Sequence, residues 1–351
     1  MSSTPEPSLL HRLVAFGPHA GAHRIAVRAA VSMLVPLLVL LAIDRLEWSL
    51  YASFGAFTAL YGRERVDLHR LALQTTVGVL QTTLITLGAV VAISPERAWL
   101  AVPIAALVAV LSTWLSVGGR WHPPGPIFQV FAFSAVASVP GTWEQVPVAA
   151  AVAASAAAFA LIVGNIGGLW RRVRRTAPLE PPELPIGGVV AGLWRQAWLS
   201  GAGVLLAGSI ATAGGIGRPY WAMVSAAVPL MAVTLTGQVV RGLHRLIGTY
   251  LGLLVAAVLL LPEVEPLVLI FLVAALQALA ELFIGRNYAL GLVFVTPLAL
   301  LMVHLASPTE VPQLILDRGL ETTIGVLIGV LVGLAGRGIP EKRRTSLPSG
   351  A

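Results

Sequence analysis

Apolar residues run in stretches of about 20 along this chain, divided by short polar segments, and that is the length an α-helix needs to cross a bilayer. Such stretches fall at 24–43, 71–93, 99–117, 147–169, 194–215, 245–261, 266–284 and 318–336. Shorter or Gly/Pro-interrupted apolar runs fill the gaps at 48–62, 126–140, 220–237 and 288–305. If all of them span, the chain divides into two sets of six helices. The tetrapeptide LHRL then recurs at the same place in each set, at 68–71 and 243–246, where the third helix begins. The pattern predicts an all-α polytopic membrane protein of about twelve transmembrane helices, built as two six-helix repeats. Six is even, so both repeats cross in the same orientation, about a pseudo-two-fold axis along the membrane normal. Residues 1–23 are then an N-terminal cytoplasmic segment, 24–170 the first repeat, 171–193 a basic and proline-rich linker, 194–336 the second repeat and 337–351 a basic tail.

Composition agrees with the pattern. Hydrophobic residues make up 57% of the chain and charged residues 11%, against about 45–50% and 25% in a soluble domain. The opening MSSTPEPSLLHR is polar and broken by proline, so the first span is expected to act as its own insertion signal. Charge placement orients the helices. With both termini in the cytoplasm, all of the 23 Lys and Arg except Arg45, Arg97, Arg218 and Arg318 fall on the cytoplasmic side, while Asp44, Glu47, Glu96, Glu144, Glu263, Glu265 and Glu310 lie in outer loops. The net charge of +7 therefore needs no nucleic-acid partner: RRVRR at 171–175 would lie among anionic lipid heads. Arginine stands in for lysine at every position but Lys342, and Ala and Gly abound, as in a high-GC bacterial genome. The expected location is the bacterial inner membrane.

Several chemistries drop out. The absence of cysteine removes disulfides, thiolate metal sites and cysteine nucleophiles. No GxxxxGK[ST], HExxH or GxSxG occurs, so no enzyme activity, metal or cofactor is expected. The small residues of AVAASAAAFA and GVLIGVLVGLAG read as points of close helix packing and not as a phosphate cradle.

The second half carries YWAMVSAAVPLMAVTLTGQVVRGLHRLIGTYLG, then RNYALGLVFVTPLALLM, then LDRGLETTIGVLIG. Over 218–336 this resembles the FUSC family, fusaric-acid-resistance-like integral membrane transporters that include aromatic acid exporters. Tyr220, Trp221, Arg241, His244, Arg245, Gly248, Thr249, Asn287, Tyr288, Thr296, Pro297, Arg318, Thr322 and Gly325 stand on the pattern. The first half keeps YASFGAFTALYG and LHRL but has Leu73 and Gln74 where Gly248 and Thr249 stand. The resemblance implies export of aromatic or other organic acids. An organic-anion channel, as in plant relatives, and a non-transporting membrane scaffold are the alternatives. The expected partners are the lipid bilayer and a small organic-acid substrate, and a homo-oligomer is allowed.

Candidate residues follow from position. The second and fifth helices of each half are the interrupted ones, the pattern of a binding site near the midplane, so Tyr51, Phe54, Phe128, Tyr220, Trp221, Tyr288 and Thr296 are expected to line the path. Pro297 removes a backbone donor and is expected to kink its helix. Arg241, His244 and Arg245, mirrored by Arg63 and Arg70, are read either as positive-inside anchors at helix starts or as an anion-attracting inner vestibule. Glu281, on the face of Gln277 near the cytoplasmic end of its helix, is either an interfacial acid paired with Arg286 or a proton-coupling carboxylate. Glu321, near Arg318 and Asp317, reads as part of an ion-pair cluster at the outer end of the last helix.

Overall fold

A computed structural model describes residues 9–19, 21–63, 67–173, 192–262 and 264–338, and among these every regular element is helical. A six-residue α1 (Leu9–Val14) precedes α2 (Ala22–Ala42), α3 (Ser49–Ala56), α4 (Asp67–Val91), α5 (Arg97–Gly118), α6 (Ile127–Ser138) and α7 (Gln145–Val173). The second half comprises α8 (Leu193–Ala213), α9 (Tyr220–Leu230), α10 (Leu235–Leu260), α11 (Pro266–Phe283), α12 (Tyr288–Ala306) and α13 (Val311–Ala335).

Eight of these, α2, α4, α5, α7, α10, α11, α12 and α13, are long and apolar enough to cross a membrane. Of the about twelve spans expected, these eight have the length and composition of a crossing helix among the described residues. The α8 helix has 21 residues but opens on Trp194, Arg195 and Gln196, and it stands outside that set. The runs at 48–62, 126–140 and 220–237 yield only short helices of 8, 12 and 11 residues. At about 1.5 Å per residue they reach about 12–18 Å, well below the roughly 30 Å of hydrocarbon.

Local chemistry explains the stops. Val139 is extended because Pro140 follows it. After Leu230 the chain must leave the helix so that Thr234 can cap the next one, accepting a hydrogen bond from the Gly237 N–H. A 3₁₀ turn, Phe57–Leu60, prolongs α3. Every residue of α9, and nearly all of α6, is buried. Frayed helix ends at membrane depth are tolerated where protein surrounds them. Exposed Leu254, Val258, Leu327 and Leu331 instead mark the lipid-facing sides of the long helices.

Packing follows one scheme in both halves. In the first, α7 packs on α3 and α4 while α6 packs on α4 and α5; in the second, α13 packs on α9 and α10 while α12 packs on α10 and α11. The halves meet reciprocally, α2 on α11 and α5 on α8 at the flanks, α3 on α12 and α6 on α9 in the centre. Glycines permit the close approaches: a β-carbon on Gly325 or Gly329 would strike the Ala222 or Ala226 carbonyl of α9, and one on Gly55 of α3 would strike the Ala153 carbonyl of α7.

The connections alternate between two ends. One end gathers Arg63, Arg286 and Arg337, and there the Gly17 N–H donates to the Arg286 carbonyl. The other carries Asp44, Glu47, Glu96, Glu144, Glu265 and Glu310. Glu263, Arg174, most of the 171–193 linker and the 339–351 tail lie outside the described residues.

Two positions differ from the sequence reading. The first LHRL does open a helix, since α4 begins at Asp67, but the second lies inside α10, which begins at Leu235. Arg245 is thus about 16 Å along the helix from Thr234, and is not at its start. Similarly α13 begins at Val311, with Pro312 in its first turn, which carries Arg318 about 12 Å inward from the acidic end and out of the loop where it was expected.

Candidate functional site

The central helices enclose a cavity of about 540 Å³ between the two halves. Its mouth lies at the basic end, where Arg63, His122, Gly237 and Arg241 line it, and it deepens past Phe128, Tyr288 and Arg245 to Trp221, Met302 and Arg318.

Two buried guanidinium groups define the deep part. Arg245, 3% exposed, donates through Nε and Nη2 to Ser225 Oγ at 3.3 Å. Arg318, 1% exposed, lies 3.9 Å over the Trp221 ring. The two arginines are within electrostatic reach of each other. Among the described residues, Nε and Nη1 of Arg318 and Nε1 of Trp221 have no hydrogen-bond partner. The nearby carboxylates are already engaged by a third arginine. Arg218 Nη1 meets Asp317 Oδ2 at 3.2 Å, and its backbone N–H donates to Glu321 Oε1 at 2.9 Å. Arg318 therefore forms no ion pair among the described residues, and the expected cluster exists with Arg218 as its cation. A central arginine in a spanning helix costs about 2.5–3.5 kcal/mol on insertion scales. The cation–π contact with Trp221 offsets about 0.5–2 kcal/mol of that. What remains is a pocket of donors suited to an acceptor-rich, negatively charged ligand.

Aromatic rings surround this donor set. Phe131 lies 4.7 Å from Trp221, centroid to centroid, and so does Tyr220, while Phe54 packs at 4.8 Å behind Phe131.

At the mouth, Glu281 of α11 accepts a hydrogen bond from Arg63 Nη2 at 2.7 Å, joining the second half to the first. This replaces the expected Arg286 pairing. Arg286 instead reaches the Gly17 carbonyl at 3.4 Å and lies over the Phe16 ring. His244 Nε2 is 3.0 Å from the Leu13 carbonyl, so the last turn of α1 is strapped beside the mouth.

Of the residues singled out from sequence, Phe128, Trp221, Tyr288, Arg63, Arg241, His244, Arg245 and Glu281 line the cavity. Tyr51, Phe54, Tyr220 and Thr296 do not: Phe54 and Tyr220 support the lining rings from behind, and Thr296 is buried where α12 meets Gly252 of α10. Arg70 is not the counterpart of Arg245 that the repeat suggested; it donates to the Gly62 and Gly164 carbonyls within its own half. Pro297 lies inside α12, which continues through it to Ala306. Sequence reasoning missed Phe57, Phe131 and Arg318 as lining residues. For Arg318 a signal existed, because Pro312 in a first helical turn sets the helix start at Val311, seven residues before Arg318.

Helices of spanning length, apolar outer faces and an interior cationic chamber define a multi-span integral membrane protein. Residues 206–332 match the family described as fusaric acid resistance protein-like, and the resemblance seen in the sequence holds over that segment. The match runs from within α8 to within α13 and contains Trp221, Arg245, Glu281 and Arg318. The chain is also 32% identical over 122 residues to the uncharacterized membrane protein YvaC of Bacillus subtilis (strain 168). That alignment takes in 34% of this chain and 19% of the relative, so the chain covers about a fifth of that protein's length. No solved structure matches.

Proposed function

We propose that the protein is a secondary transporter of organic anions, aromatic carboxylates among them, whose path runs through the central cavity. The observation that carries this reading is the pair Arg245 and Arg318, buried without a carboxylate between them and walled by Trp221, Phe131 and Phe128. A cavity of about 540 Å³ lies within the usual range for small-molecule sites. The donors fix a carboxylate and the rings hold an aromatic body.

The finer architecture belongs to the same proposal. Reciprocal packing of α2 on α11 and α5 on α8, with matching pairings inside each half, supports two six-helix repeats in parallel orientation. The short α3, α6 and α9 are then broken elements around a central site, as in other repeat-built carriers. Assigning the basic end to the cytoplasm of a bacterial inner membrane follows the positive-inside rule. The cavity then opens inward, as loading for export requires. We read the chain as a carrier and not an enzyme.

Flux in proteoliposomes tests this. Benzoate should move faster than benzamide through the protein, and faster than through protein-free vesicles. Equal rates with and without protein would overturn the proposal. Dependence on a gradient and saturation with concentration would separate a carrier from a channel.

A further inference from the structure

The cavity's one buried carboxylate stands at its mouth and takes up the charge of a cation that an entering anion must meet. Glu281 and Arg63 both line the cavity, and their side chains are 8% and 17% exposed. Arg63 follows the 3₁₀ turn of the first half, whereas Glu281 belongs to α11 of the second.

The surrounding charges are otherwise engaged. Arg28 of α2, also within electrostatic reach of Glu281, donates to the Ala59 carbonyl at 2.7 Å and the Tyr61 carbonyl at 3.4 Å. Arg70 of α4 bonds the Gly62 and Gly164 carbonyls, Arg286 the Gly17 carbonyl, and His244 of α10 faces the Leu13 carbonyl. Arg241 and Arg245 of α10 and His122, in the connection after α5, also line the same cavity. Among the described residues, the Nε of Arg63 has no hydrogen-bond partner.

We infer that Glu281 is a built-in competitor for Arg63, so that a proton on Glu281 and an organic anion on Arg63 bind together. The inference rests on the anion-transport reading. With Glu281 ionised, an incoming carboxylate must displace it, leaving a buried charge without its partner, which is strongly unfavourable. With one proton taken from solvent onto a carboxyl oxygen, Glu281 becomes neutral and Arg63 turns to the anion. No covalent bond changes apart from that O–H. Because binding linkage is reciprocal, each ligand strengthens the other by the same factor. A transport step that carries both together moves one proton with each anion.

The test uses the full-length protein in detergent and benzenesulfonate, which stays ionised throughout. Calorimetric titrations across about pH 5 to 8, in buffers of different ionisation enthalpy, read affinity and proton uptake together. The wild type should bind more tightly as pH falls, by up to about tenfold per pH unit, taking up close to one proton per anion. Glu281→Gln should bind at all pH values with the affinity the wild type reaches at low pH and take up no proton. Should Glu281→Gln fail to fold, wild-type proton uptake measured again in His122→Asn and His244→Asn decides: uptake kept in both supports Glu281, and uptake lost in either overturns the inference, since both histidines line the same cavity. Wild-type binding without proton uptake, or an unchanged pH slope in Glu281→Gln, overturns the inference and leaves the anion reading standing. No binding of the sulfonate by the wild type at any pH removes both.

Discussion

Arg245 and Arg318 enter the same chamber from opposite ends of the molecule. Each is carried inward by a helix whose start is set by a local cap, Thr234 for α10 and Pro312 in the first turn for α13. Each contributes a positive charge to the chamber; Glu321 is within electrostatic reach of Arg318 but makes no ion pair with it among the described residues. Substituting Arg245→Ala or Arg318→Gln should lower benzoate flux about 10- to 100-fold, the worth of one charged hydrogen bond of roughly 1.5–3 kcal/mol, and lower benzamide flux much less. Flux assays on both compounds, normalised to reconstituted protein, check this; equal loss for the two would make the arginines structural. Raising ionic strength on the side of the basic end should leave the Arg245 effect intact, because a buried contact is poorly screened. Arg318→Gln also removes part of the insertion cost of a buried guanidinium, so its melting temperature in detergent should hold or rise while anion flux falls. A marked fall in melting temperature would instead show that the contact with Trp221 holds α13 to α9.

At the scale of elements, glycine decides which helices touch. On α10, a β-carbon at Gly252 would come 2.7 Å from Thr296 Cβ, and one at Gly248 would meet the Ala289 carbonyl of α12. The first half has Leu73 and Val77 at the equivalent places, and Gln74, where Thr249 stands in the second half, donates to the Tyr61 carbonyl at 3.1 Å. Identical LHRL tetrapeptides therefore end in different roles because the residues one turn later permit different neighbours. Gly329→Leu should destabilise the protein by about 1–3 kcal/mol or more, since backbone of α9 cannot yield to the added side chain. Gly319→Ala, whose β-carbon would find only ordinary contacts from 3.4 Å outward, should be tolerated. Thermal unfolding of the two variants in detergent distinguishes them; similar melting temperatures would mean that the α9–α13 contact is looser than described. The small-residue runs of α7 and α13 were readable in the sequence as packing surfaces, because small residues at helical spacing have few other uses in apolar helices.

For the whole molecule, alternation of the connections places Glu144 and Val233 at opposite ends. Both are exposed, Val233 at 90%, and the chain has no native cysteine. In intact cells, a membrane-impermeant maleimide should label Glu144→Cys, while Val233→Cys should react only after permeabilisation. Labelling of position 233 in intact cells would invert the orientation and turn the cavity outward.

Membrane residence, helical class, the polarity of the two ends and the resemblance over 218–336 were all determined by sequence. They depend on sums over many residues, apolar area for the spans and basic charge for the ends, and such sums survive ignorance of who touches whom. Tertiary structure alone decided that Arg63 meets Glu281 across more than half the chain, that Arg218 takes the carboxylates nearest Arg318, and that Arg70 turns back into its own half. A guanidinium pairs with whichever acceptor the packing brings within about 3 Å. In apolar helices the packing is set by a few glycines and by where short helices stop, which hydrophobic pattern does not record.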